Sequence, residues 1–152
     1  MPHPPISPLT AHLGYWLRFV SNHVSHSFAR KLEALGVTVA EWVILREMHD
    51  EEEFSPSRLA EKIGMTRGAV TKLADRLIVK GLVERRASPS DGRAQTLSLT
   101  TEGRALVPDL AALADRNDHE HFGHLSADER ALVEALLRDI VVRHGFKSIP
   151  IA

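Results

Sequence analysis

At 152 residues and a net charge of −1, the chain has the length of one domain with helical arms, and its 43% hydrophobic content is enough to bury a core. No apolar run reaches membrane-spanning length, and Met1-Pro2-His3-Pro4-Pro5 lacks the basic and apolar regions of a signal peptide, so a cytoplasmic protein is expected. The absence of cysteine excludes disulfides, thiolate metal sites and cysteine redox sensing together.

Along the chain, Leu13, Leu17, Val20, Val24, Phe28, Leu32 and Leu35 recur every three or four residues. This spacing predicts a helix over about residues 9–35 with one apolar stripe, stopped by Gly36. Thr38 and Glu41 have the spacing of a capping box, which opens a helix through Trp42, Leu45 and Met48. An acidic loop, Asp50-Glu51-Glu52-Glu53, follows.

Ser55-Pro56 marks the next start, a hydroxyl cap before a proline at the first helical position. Leu59, Ala60 and Ile63 are the inner residues of this helix, and Gly64 turns the chain. Thr66 caps a further helix that carries Val70, Leu73 and Leu77 inward and ends at Gly81. Two short helices joined by a turn with glycine fit helix-turn-helix geometry.

Beyond Gly81 the period changes to two. Residues 82–87 and 94–99 read as paired strands around the turn-rich Ser88-Pro89-Ser90-Asp91-Gly92-Arg93, a hairpin in the position of a wing. Thr100-Thr101-Glu102 opens another helix with Leu106, Leu110 and Leu113 on one side, and Pro108 is expected to kink it. The helical period fails from Asp118 to His124. Ser126 and Glu129 form a second capping box before a last helix carrying Leu132, Val133, Leu136, Leu137, Ile140 and Val141.

The fold class that results is mainly α with a small β-hairpin wing, a winged helix-turn-helix. A single domain over residues 1–152 is expected, with a DNA-binding head at 37–103. Helical segments 9–36 and 104–145 form its dimerisation region, because their apolar stripes are too extensive for so small a head to cover. Charge supports this division. From Arg58 to Arg93, nine Lys and Arg stand against four Asp and Glu, a net charge of +5, and the rest of the chain carries −6. A basic middle between acidic arms suits a surface aimed at phosphate.

Three linked blocks carry a family resemblance. They are Leu59-Ala60-Glu61-Lys62-Ile63-Gly64, then Val70-Thr71-Lys72-Leu73-Ala74-Asp75-Arg76-Leu77, then Lys80-Gly81-Leu82-Val83-Glu84-Arg85. With Asp91-Gly92-Arg93 in the wing and Leu99-Thr100-Thr101-Glu102-Gly103 after it, the chain resembles the MarR family from Val37 to Gly103. The flanking helices match by length and order only. The resemblance implies a triangular homodimer, held by its first and last helices, that sets two winged heads on an inverted-repeat operator in double-stranded DNA. It also implies a ligand-responsive transcriptional regulator, a repressor more often than an activator.

Within the head, the second helix of the helix-turn-helix is expected to enter the major groove by its N-terminal end. Arg67, Gly68, Ala69, Thr71 and Lys72 lie off its apolar stripe. Arg67 is placed to read guanine, Lys72 and Arg76 to hold phosphate, and Thr71 to do either, while Gly68 lets the backbone approach DNA. Ser55 and Thr66 serve as caps or as phosphate donors. Arg85 and Arg86 occupy alternate faces of the wing strand, and Arg86 is favoured for phosphate. Arg93 at the hairpin tip can enter the narrow minor groove, oriented by Asp91.

Family members commonly bind a phenolic or other lipophilic acid between the long helices and the head. Tyr15, Trp16, Phe19, His23, Trp42 and Arg46 are the candidates to line such a site, with packing as the competing role for Phe19 and Trp42. The histidines of Asp118-His119-Glu120-His121-Phe122-Gly123-His124, and the pair His23 and His26, raise a metal-responsive alternative. Their spacing matches no zinc motif, so no metal and no cofactor are expected. A protein-interaction module is the other alternative, and the clustered head charge argues against it. An enzyme is not expected, because no glycine-rich phosphate loop, nucleophile elbow or metal-hydrolase motif is present.

Overall fold

The computed structural model of the chain describes residues 2–87 and 95–147. A 3-10 turn at Leu9–Ala11 precedes α1 (Leu13–Glu33), α2 (Val39–Met48), α3 (Pro56–Ile63) and α4 (Arg67–Val79). Strands β1 (Val83–Ala87) and β2 (Gln95–Leu99) follow, then α5 (Thr101–Phe122) and α6 (Ala127–His144). The strands pair antiparallel, with Val83 opposite Leu99 and Ala87 opposite Gln95. This is the winged helix-turn-helix with N- and C-terminal helices that the sequence implies.

The helix starts are set locally. The Thr38 and Ser126 side chains accept from the amides of Glu41 and Glu129, whose carboxylates accept in return from the cap amides, so both capping boxes are complete. Ser55, Thr66 and Thr100 each accept from the amide three residues on. Gly64, at φ 70°, ends α3 in the left-handed region and makes the helix-turn-helix turn. Gly103 permits a close approach: a Cβ there would overlap the Leu82 carbonyl, so α5 can lie directly on the start of the hairpin.

The core belongs to the head. Ile44, Leu45 and Met48 of α2, Leu59 of α3, Val70, Leu73 and Leu77 of α4, and Val107 and Leu110 of α5 close around Val83, Leu97 and Leu99. The arms contribute little: α1 buries only Leu32, and α6 buries no residue at all. Among the described residues no helix is long and apolar enough to cross a membrane.

One local reading is corrected and two contacts are added. The first helix is broken at His12, whose extended backbone separates the 3-10 turn from α1. Phe54 exchanges two backbone hydrogen bonds with Leu97 (2.9 and 2.7 Å), an isolated bridge at the hairpin edge to which no sequence signal pointed. Where the apolar period fails from Asp118, α5 stays helical through Phe122, and buried Asn117 just before it donates to the Val24 carbonyl of α1. Pro108 lies inside α5 without ending it.

Candidate nucleic-acid interface

Helix α4 is sharply two-sided. Val70, Leu73, Ala74 and Leu77 are buried, whereas Thr66, Arg67, Gly68, Thr71, Lys72 and Arg76 are exposed and Ala69 is half-buried. The 3.6-residue period alone produces this division. It leaves the N-terminal turn of α4 free to meet a groove, and a Cβ at Gly68 would face open space.

Ion pairing concentrates the charge of the head on that same face. Arg58 is held by Glu51 (2.7 Å), Lys62 by Glu47 (3.2 Å), Lys80 by Glu41 (2.8 Å) and Arg85 by Asp75 (2.7 Å), while Arg86 meets Glu84. Arg58 and Lys62 also lie over the Phe54 ring, at 5.4 and 5.5 Å from its centroid. Arg67, Lys72 and Arg76 pair with no carboxylate among the described residues, and all three sit on α4. The sequence could show that the head is basic; the structure shows which cations remain available.

The hydroxyls can combine two roles. Ser55 Oγ and Thr66 Oγ1 accept from the amides of Arg58 and Ala69 at 3.1 Å, which occupies lone pairs and leaves each O–H able to donate to phosphate. Thr71 differs, since its hydroxyl donates to the Arg67 carbonyl at 2.9 Å. In this arrangement the Thr71 hydroxyl proton is committed and only its lone pairs are unused.

On β1, Arg85 folds back onto Asp75 of α4 and is the less exposed of the two arginines, with Arg86 the more exposed. Both wing-strand arginines are therefore ion-paired, Arg85 across to α4 and Arg86 within its own strand. Asp91 and Arg93 lie outside the described residues.

The candidate effector residues separate into groups. Tyr15, Phe19 and His23 follow one another along one face of α1, with ring centroids 6.0 Å and then 5.1 Å apart, and Trp16 packs edge-on to Tyr15 while its Nε1 donates to Thr10 O. Trp42 instead packs edge-to-face on Phe28 at 6.2 Å, and Arg46 pairs with Asp50 at 2.8 Å. His23 and His26 face His121 of α5 across a groove that also includes Arg30 and Lys31. That grouping joins the two histidine clusters, which lie far apart in the sequence. Its signal was the helical spacing of His23, His26 and Arg30. No set of three metal-capable side chains at ligating distance occurs among the described residues.

The MarR family profile matches residues 35–94, the segment that contains this helix-turn-helix. The multiple antibiotic resistance protein MarR of Escherichia coli (strain K12) is 30% identical over 130 residues, covering 85% of this chain and 90% of that protein. The HTH-type transcriptional regulator PrsX of Escherichia coli is 29% identical over 140 residues, 90% of this chain and 84% of that one. A crystal structure of a mutant E. coli MarR complexed with operator DNA superposes with a TM-score of 0.77 at 30% identity, covering 85% of this chain and 93% of that chain. Bordetella bronchiseptica BpsR, at 24% identity and a TM-score of 0.78 over 90% of this chain and 97% of its own, shares the fold. Sequence and fold agree over most of its length, and the chain belongs to the MarR family.

Proposed function

We propose that the chain is a transcriptional regulator that binds an inverted-repeat operator as a homodimer and represses until a small-molecule ligand reshapes it. The observation that carries this reading is the exposed face of α4, where Arg67, Lys72 and Arg76 stand without carboxylate partners among the described residues while the opposite face is buried. A helix presented in this way offers base-reading and phosphate-holding groups to a major groove. That E. coli MarR was crystallised with operator DNA supports the same assignment here.

The homodimer rests on unpartnered apolar surface. Leu13, Trp16, Leu17 and Val20 of α1 are each about half exposed or more, as are Leu132 and Leu136 of α6. An 18-residue helix without a buried residue gains little from its own hydrogen bonds in water and is stabilised by packing its apolar face. A second copy supplies that packing symmetrically. The ligand is assigned to the arms and not to the head, because the Tyr15, Phe19 and His23 face lies on α1, where a small rotation would alter the spacing of two heads.

Fluorescence anisotropy with a labelled fragment from upstream of the gene tests the reading. Saturable binding by two chains, lost in an Arg67→Ala, Lys72→Ala, Arg76→Ala triple variant that still sediments as a dimer, is the expected result. Binding unaffected by the triple variant would remove α4 from the interface.

A further inference from the structure

We propose that the groove between α1 and α5 binds a phosphate group, either as the free ion or on a phosphorylated small molecule. His23, His26, Ser27, Arg30 and Lys31 line one side and His121 the other, around about 490 Å³ of space. This volume falls within the roughly 300–1,000 Å³ usual for small-ligand sites. None of these groups takes part in the operator-binding face.

The walls are fixed before any ligand arrives. Asn117 is buried, accepts from Lys31 Nζ at 3.1 Å and donates to the Val24 carbonyl at 3.1 Å, which locks α5 to α1. Lys31 also donates to Ser27 Oγ at 2.9 Å and pairs with Glu120 at 2.8 Å. On the α1 side, Phe19 stacks on the His23 ring at 5.1 Å. A site cross-braced in this way loses little entropy on binding.

Charge and donor chemistry identify the ligand class. Glu120 is taken up by Lys31 and by Arg116 (3.2 Å), so the nearest acid is already committed. Arg30 is exposed and pairs with no carboxylate among the described residues, leaving its guanidinium as the groove's available charge. Ser27 Oγ accepts from Lys31, which leaves its hydroxyl proton for a ligand. A guanidinium fork, a hydroxyl and the imidazoles of His23 and His26 make more contacts with the three terminal oxygens of a phosphate than with the two of a carboxylate.

His121 adds a proton requirement. Its Nδ1 lies 2.7 Å from the Asn117 carbonyl, which can only accept, so Nδ1 carries the hydrogen. In the neutral ring Nε2 is then a bare acceptor, and only the imidazolium can donate to an anion. The groups around it are His23, His26, Arg30 and Lys31 on α1 and Glu120 on its own helix.

Isothermal titration calorimetry of the full chain at constant ionic strength, with inorganic phosphate, glycerol phosphate and acetate as probes, tests this proposal. Saturable binding of the phosphate probes is expected, weakened about tenfold or more in Arg30→Gln. Tighter binding of glycerol phosphate assigns the groove to a phosphorylated small molecule and tighter binding of phosphate assigns it to the free ion, and both support the proposal. Absence of saturable binding, acetate binding as tightly as phosphate, or wild-type affinity in Arg30→Gln would overturn it. So would a loss of operator affinity in Arg30→Gln without added anion, which would place the groove on the DNA backbone. Because the calorimetry contains no DNA, failure of the operator reading leaves its result intact.

Discussion

Lys80 Nζ lies 2.8 Å from Glu41 Oε1 and 2.7 Å from the Gly36 carbonyl, so the C-cap of α4 is tied to the turn between α1 and α2. Glu41 is fully buried, and the same Oε1 accepts from the Thr38 amide at 2.8 Å. One carboxylate thus closes a helix cap and holds the far end of α4. Its Oε2 has no hydrogen-bond partner among the described residues, which makes the Lys80 charge the main compensation for burying it.

Lys80→Met should therefore destabilise the head. Removing one partner of a buried pair leaves an uncompensated charge. Lys80 is itself 37% exposed, so the cost after solvent screening is about 1–2 kcal/mol. Adding Glu41→Gln removes the orphaned charge and should recover part of the loss. Urea denaturation of the single and double variants measures both, and an unchanged midpoint for Lys80→Met would show the pair to be energetically idle.

The same carboxylate makes stability depend on acid. Burial alone would raise the Glu41 carboxyl, but the hydrogen bonds from Lys80 and the Thr38 amide outweigh it and hold the group below its usual value of 4.5. A group lowered in the folded state binds more protons when unfolded, so its stabilisation is complete above about pH 4.5 and is lost as pH falls through the lower folded value. Thermal melts between about pH 6 and pH 3 should show a steeper decline in the wild type than in Glu41→Gln. Parallel declines would contradict this.

The cations of α4 should divide by role. Arg67→Ala is expected to cost about 1–3 kcal/mol on operator and to flatten discrimination at particular base pairs. Lys72→Ala should weaken specific and non-specific DNA alike and reduce the salt slope by about one. Anisotropy titrations over a salt series, with operator and scrambled DNA, separate the two patterns. Identical behaviour of both variants would mean that Arg67 only holds phosphate.

For Arg93, outside the described residues, the minor-groove role implied by the Asp91-Gly92-Arg93 motif means that Arg93→Ala should cost about 1–3 kcal/mol of operator affinity. Asp91→Ala should lose less, and the two losses should be non-additive if Asp91 acts by orienting Arg93. Wild-type binding by Arg93→Ala across a salt titration would remove Arg93 from recognition.

How much was legible follows from the range of each interaction. The caps at Thr38, Ser55, Thr66, Thr100 and Ser126 bond three residues ahead, so they could be read directly, as could the buried stripe of α4. The Phe54 bridge to Leu97 could not be read, because a single residue paired with a strand more than forty positions away leaves no periodic trace. The docking of α5 on α1 through Asn117 and the Val24 carbonyl is a tertiary contact that hydrophobic periodicity does not record. The basic character of the head was visible from composition. Which arginines and lysines are neutralised, such as Arg85 by Asp75, became apparent only from the packing of β1 against α4.

Selection of genomic fragments by the purified protein at fixed salt, followed by a binding titration on the enriched sequence, tests the central claim most directly. A homodimer reading DNA through two copies of α4 should enrich an inverted repeat whose half-site centres lie about 10 base pairs, or a multiple of that, apart. It should bind two chains per site, with affinity falling by about 1–3 kcal/mol for each half-site base pair changed. Enrichment of no shared sequence, or of a single half-site bound by one chain, would contradict the account.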